Sequence, residues 1–336
     1  MRSQKNNNNT YLTMASNKKI QLPIYTYEFI PVEKPEDNLF EKKEDIARRN
    51  EQLKLHKQEI LQKYIDQIAT GELVPRMGEK SYRCKTIYNL GGITILKIEN
   101  VKDEVFPWDF ASQRHMVAPY CHVIIDNRKD MQHIAIEPNK KAFSSTNVVK
   151  NILAETLRPL IRKEGLILDI NGQFQPKAFW DYIDANRQYG IKEIRFYFPY
   201  PNLPAISDKY GNAMMEIGLD YHCMPGVILF APDDLDMVLD RNDLTLKFWL
   251  EAAAESGINV AVQTKRKNSR VYYVGKNNSV KWTLEKNVLE LLDPRPEEAH
   301  QKELKMEFLE EDEKARVQEK IAEFLNNGRF SALNAK

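Results

Sequence analysis

Apolar and polar positions alternate along this chain in runs whose period changes several times, and each change of period marks an element. Ile20, Leu22 and Ile24, followed by Tyr25, Tyr27 and Phe29, predict an opening strand over residues 20–32, which Pro31 and Pro35 end. From Leu39 to Ile68 the chain has neither Gly nor Pro, and Ile46, Leu53, Ile60, Leu61, Tyr64, Ile65 and Ile68 mark one stripe of a helix. A long helix follows from that stripe, with Asp37-Asn38 as its cap and Gly71 beyond its end. Two β-rich runs, Ser81 to Leu90 and Ile93 to Val101, flank Gly91-Gly92 and read as a hairpin, and Phe106 to Phe110 read as an aromatic loop.

The stretch from Pro119 to Pro199 carries the clearest pattern. Val123-Ile124-Ile125 and His133-Ile134-Ala135-Ile136 are β-branched runs on either side of the polar turn Asn127 to Asp130, the signature of a second hairpin. Ser144-Ser145-Thr146 offers capping oxygens to a helix over 146–163, whose Val149, Ile152, Leu153, Leu157 and Ile161 form one apolar face; Pro159 predicts a kink or early end. A strand (165–170), a short helix (176–186) and a strand (191–198) complete the stretch.

The Pro-rich run Pro199 to Pro204 reads as a domain boundary. Beyond it the pattern predicts strands over 214–219 and 227–230, the latter buried, and a helix over 244–256. A strand over 258–262 and a hairpin pairing 270–274 with 280–284 come next. A last helix spans 296–327, with Leu304, Phe308, Val317, Ile321, Phe324 and Leu325 as its stripe. The resulting expectation is an α+β fold: an antiparallel-rich mixed sheet with flanking helices, plus a smaller C-terminal α/β part and long charged helices. Its divisions are a disordered tail (1–19), an α+β core domain (20–198), a C-terminal α/β domain with the basic hairpin (199–295), and an acidic C-terminal helix and tail (296–336).

Composition narrows the class of protein. With 336 residues, 42% of them hydrophobic and 10% aromatic, the chain can fill a sizeable core. No apolar run is long enough for a membrane helix, the N-terminus lacks the apolar core of a signal peptide, and a cytoplasmic location is the expectation. Cys84, Cys121 and Cys223 show no close pairing and suit buried thiols in a reducing compartment. A net charge of +1 says nothing about partners, but its distribution does. Residues 296–328 carry ten acids against five bases, whereas residues 262–286 carry seven bases against one acid.

Four constellations have chemical content. Arg49-Asn50 with His56 matches the local Arg/His pattern of the helical ribonucleases called HEPN, but the β-rich region that follows is foreign to that family. Asp233 with Lys265 is similar to the acid and Lys of restriction-type nucleases, which hold Mg²⁺ and orient water; Gln263 stands where a second carboxylate is usual, and Asp233-Asp234 equally suits a helix cap. Cys121-His122, His115, His133 and His222-Cys223 lack metal-ligand spacing, so no metal and no cofactor is expected. The most informative is the basic run. Lys265, Arg266, Lys267, Arg270, Lys276 and Lys281, interleaved with Tyr272, Tyr273 and Trp282, suit phosphate contacts combined with stacking, and equally suit an edge strand protected by charge.

The succession Tyr120 to Asp126, polar turn, His133 to Glu137, Phe143-Ser144-Ser145 and amphipathic helix, continued by Phe179-Trp180 and Ile191 to Phe196, resembles bacterial phage-exclusion proteins of the RexA type and the B subunit of the Kiwa defence system. That resemblance implies a cytoplasmic anti-phage protein that binds DNA without catalysis, forms a homodimer or other homo-oligomer, and works beside a partner defence subunit; it transfers no site residue. The alternatives left open are a metal-dependent nuclease and a protein–protein adaptor or scaffold subunit.

Overall fold

A computed structural model of the chain describes residues 19–31, 43–108, 111–128, 131–197, 226–256, 260–274, 280–285, 288–289, 315 and 319–325. It shows an α+β fold built on an antiparallel seven-stranded sheet and a separate four-stranded sheet. Its first strand organises the larger sheet. Strand β1 (Lys19–Pro31) alternates Leu22 and Ile24 on one face with Tyr25, Tyr27 and Phe29 on the other, and each set is buried in a different core.

Helix α1 (Lys43–Thr70) follows and lays Leu61, Tyr64, Ile65 and Ile68 on the Tyr25/Tyr27/Phe29 side. It ends at Gly71, whose φ of 81° is the left-handed conformation that glycine adopts without strain. Short strands β2 (Arg76–Met77) and β3 (Lys80–Ser81) lead to the hairpin of β4 (Arg83–Leu90) and β5 (Ile93–Glu99). Gly91 and Gly92 both have positive φ, as a tight hairpin turn requires. The region around Phe106 is not a loop: β6 (Lys102–Trp108) and β7 (Ala111–Val117) pair throughout as a two-stranded hairpin. Strands β8 (Tyr120–Asp126) and β9 (His133–Ile136) pair as expected.

Helix α2 (Thr146–Lys163) runs through Pro159 to Lys163 without the expected early end. Ser145 makes no side-chain cap, and the Thr146 hydroxyl is 2.8 Å from the Tyr25 hydroxyl, tying the helix start to β1. Strand β10 (Leu166–Gly172) returns beside β1. The larger sheet therefore runs β10-β1-β9-β8-β5-β4, with β15 (Lys281–Glu285) also on β1. Strands β10 and β15 share one edge of β1 end to end. They meet at Ile24, whose N–H donates to Val280 O (2.9 Å) and whose carbonyl accepts from Gln173 N–H (3.1 Å). Pro23, which has no N–H, sits where the opposite edge of β1 has no partner among the described residues, because β9 begins pairing only at Ile24.

The second sheet forms from helix α3 (Pro176–Asn186), strand β11 (Ile191–Tyr197), strand β12 (Gly226–Phe230), helix α4 (Leu244–Ser256), strand β13 (Val260–Thr264) and strand β14 (Tyr272–Val274), in the order β12-β11-β13-β14. Three expectations change here. The boundary expected at 198/199 falls inside this sheet, because α3 and β11 supply Phe179, Ile183, Ile194 and Phe196 to its core. The expected pairing of 270–274 with 280–284 does not occur: β14 pairs with β13 and β15 with β1, so the two strands belong to different sheets. Strand β12 is exposed rather than buried, and among the described residues it is an edge strand.

Helix α4 buries Leu246, Trp249, Leu250 and Ala252 to Ala254 and leaves Leu244, Lys247 and Glu251 exposed. Leu246, Trp249 and Leu250 pack on the second sheet, and the helix also contacts β1. Its cap is Asp243, whose Oδ1 accepts Leu246 N–H at 2.7 Å, so Asp233-Asp234 does not serve as one. Of the C-terminal helix, residues 319–325 are helical and bury Ile321, Phe324 and Leu325 beside Trp282 in the third core. The strand expected over 214–219 lies outside the described residues. Among those described, no helix is long and apolar enough to cross a membrane.

Glu28 is the outlier of this interior. It is 2% exposed on β1, paired in register with Asp169 of β10, and its Oε2 has no hydrogen-bond partner among the described residues. Burial, reinforced by Asp169 and opposed by Lys57, pushes its carboxyl well above the ordinary 4.5. The folded state thus holds this proton more tightly than the unfolded chain does. Its contribution to stability is complete below pH about 4.5 and is lost as pH rises towards the elevated folded value. Glu28→Gln, which keeps the neutral shape, should be more stable than the parent at pH 8 and equal to it at pH 4. Thermal melts across that range check this; a parent–variant difference independent of pH would show that Glu28 does not titrate.

Candidate nucleic-acid interface

The basic run folds into three separate environments. Lys265, at the end of β13, turns its ammonium inward. Nζ donates to Pro232 O (2.8 Å), Asp233 O (3.3 Å) and Leu235 O, lies 3.5 Å from the Asp236 carboxylate, and its side chain is 14% exposed. All three N–H donors are thereby committed to the 232–236 turn, which they hold against β13. Close approach there also explains Gly190: a Cβ at that position would lie 2.8 Å from Asp236 Oδ1.

This geometry separates the residues of the nuclease alternative. Lys265 meets the main chain of Asp233 and not its carboxylate, and among the described residues no three His, Cys, Asp or Glu side chains converge as a metal site. The other candidates are also placed. His56 Nδ1 lies 2.8 Å from Glu59 on the exposed face of α1, and the Arg49 side chain is outside the described set. His122 Nδ1 sits 2.6 Å from Glu137 within the sheet. Burial pushes the Cys84 thiol up to about 12 and the Cys121 thiol higher still, so neither is a thiolate near neutrality. His115's side chain, His222 and Cys223 are outside the described residues.

Arg266, Lys267 and Arg270 are exposed together on one turn. They occupy the connection between β13 and β14, which has a defined shape. Asn268 takes a left-handed φ of 62°, Ser269 N–H donates to Arg266 O at 2.9 Å, and the Thr264 and Ser269 hydroxyls lie 2.8 Å apart. The Arg266 guanidinium lies 5.1 Å from the ring centre of Tyr189, itself 37% exposed.

The aromatic residues divide in the same way. Tyr272 stacks on Tyr182 of α3 at 3.9 Å and 2°, a contact within the core side of the second sheet. Tyr273, on the opposite face, is 42% exposed. Trp282 is 3% exposed, edge-on to His133 (5.2 Å) and Phe324 (5.7 Å) in the third core; it holds the C-terminal helix and is closed to a ligand. Lys281 is exposed but lies on β15 of the larger sheet, and Lys276 is outside the described residues. Sequence reasoning missed Tyr189 and the outer residues of β11 and β12. Their only signal was strand alternation, which cannot say which face is covered.

Comparison with protein-family models, curated proteins and solved structures finds no match.

These placements give opposite expectations for two neighbours in sequence. Trp282→Ala should cost about 3–5 kcal/mol of stability, the cost of emptying a large buried aromatic site. Lys281→Ala should leave the denaturant midpoint unchanged. Chemical unfolding of the two variants checks the assignment, and a Trp282→Ala protein as stable as the parent would return that ring to the surface.

Proposed function

We propose that this protein binds nucleic acid without cleaving it, and that the β13–β14 turn makes the phosphate contacts. The observation that carries this reading is the exposed trio Arg266, Lys267 and Arg270 on a turn of defined shape, with Tyr189 against Arg266. Cations on a shaped turn approach phosphate without first having to be ordered, and exposed guanidinium groups match phosphate geometry. Lys265 is committed to the 232–236 turn and has no free donor for a scissile phosphate. The setting of this function, phage defence in a bacterial cytoplasm by a self-associating protein, rests on the resemblance across residues 120–196.

Each phosphate contact displaces condensed counterions, so affinity falls with salt in proportion to the number of contacts. Replacing Arg266, Lys267 and Arg270 together by Ala should weaken duplex binding and flatten the log–log salt dependence by up to about 2.7, from about 0.9 per contact. Lys281→Ala should leave that dependence as in the parent. Fluorescence anisotropy over a salt series gives both numbers. A triple variant with parental affinity and slope would remove the turn from the function.

A further inference from the structure

The second sheet is covered on one face by α3 and α4, whose Phe179, Ile183, Leu246, Trp249 and Leu250 pack on Ile194, Phe196, Val260, Val262 and Val274. Alternation sends the intervening residues to the other face. Strand register aligns them in two rows: Phe230, Glu193 and Gln263 in the first, Ile228, Arg195, Ala261 and Tyr273 in the second. Phe230 (58%) and Ile228 (62%) on β12 and Tyr273 (42%) on β14 are exposed there, flanking Arg195 and the covered Ala261.

We infer that this outer face is a binding platform for single-stranded nucleic acid, with bases stacking on Phe230 and Tyr273 while phosphates reach Arg266, Lys267 and Arg270. The inference rests on the nucleic-acid reading of the turn and extends it to the class of ligand. Continuity supports it. Gln263, in the first row, donates from Nε2 to Ser269 O of the turn at 3.3 Å, so the cations begin where the row ends. Charge supports it too. The carboxylate of the two rows, Glu193, is paired with Arg195, whose Nη1 also reaches the Tyr197 hydroxyl at 3.5 Å, leaving a flat guanidinium in the sheet surface.

Duplex geometry does not suit this surface, because paired bases present no free faces to a flat sheet. Splayed bases of a single strand do, and rings on a sheet beside basic groups are a general means of holding them. Phe230 on β12 and Tyr273 on β14 are three strand spacings apart, at least about 14 Å, so the rings would take two separate bases of one strand.

The test uses the full-length protein and fluorescein-labelled oligo-dT, oligo-U and a mixed duplex, each of about 20 nucleotides, long enough for such a platform. Single strands should bind more tightly than the duplex, and the ratio of oligo-U to oligo-dT tells RNA from DNA. Phe230→Ala and Tyr273→Ala should each weaken single-strand binding by about 5- to 150-fold with an unchanged salt slope and unchanged duplex binding. Phe230→Trp should retain the affinity. Both rings are exposed, so melting temperatures should stay at the parental value and loss of binding would not reflect unfolding. A double Ala variant with parental affinity for single strands, or a parent that prefers duplex, would overturn the platform. The turn reading would survive that outcome if the triple cation variant still flattened the duplex salt slope. A parent that bound no nucleic acid would overturn both.

Discussion

Strand β1 is the constraint on which the rest depends. Its 13 residues pair with β9 along one edge and with β10 and β15 in succession along the other, and its two faces fill two separate cores. The junction at Ile24, where Gln173 and Val280 arrive together, joins segments from the start, middle and end of the chain through backbone hydrogen bonds. Closing such distant pairings has a loop entropy that local contacts do not repay, so β1–β15 pairing is a late event by this physics. It also makes the C-terminal region part of the fold: Trp282 on β15 receives Phe324 of the last helix.

A second consequence lies in how the two sheets are joined. The chain leaves the larger sheet at Gly172, builds all four strands of the smaller one, and returns as β15. Helix α4 packs on the smaller sheet and touches β1, which explains the row of small residues Ala252, Ala253 and Ala254 on a helix buried on more than one side. The smaller sheet is thus packed on one face, while on its other face Phe230, Ile228 and Tyr273 are exposed and Ala261 between them is covered. A surface of that kind has a purpose in recognition more often than in folding.

The distribution of cations follows from the same packing. Lys265 points inward because the 232–236 turn offers three carbonyl oxygens as acceptors, and a Lys stem reaches them without burying the charge unpaired. One residue later the chain turns outward, and Arg266, Lys267 and Arg270 face water. A run of like charges in sequence is therefore not a surface in space until the turn that carries it is known.

Local order was legible in the residues alone. The α+β class, the hairpins at Gly91-Gly92 and at 127–130, α1, α2, α3 and the strands on either side of them all follow from period, caps and turn chemistry, because those signals act over a few residues. Partnership was not legible. Pattern cannot say that 272–274 joins β13 while 281–285 joins β1, since both read as short strands and the partner is set by which distant edge is open. Nor can it say which face of a strand is covered. Phe230 and Trp282 are both large aromatics on short strands, yet one is 58% exposed and the other 3%. The sequence determined that there would be strands here and a cluster of cations and rings among them. Only the tertiary structure decided which ring is core and which is surface, because burial is a property of what packs against a residue and not of the residue itself.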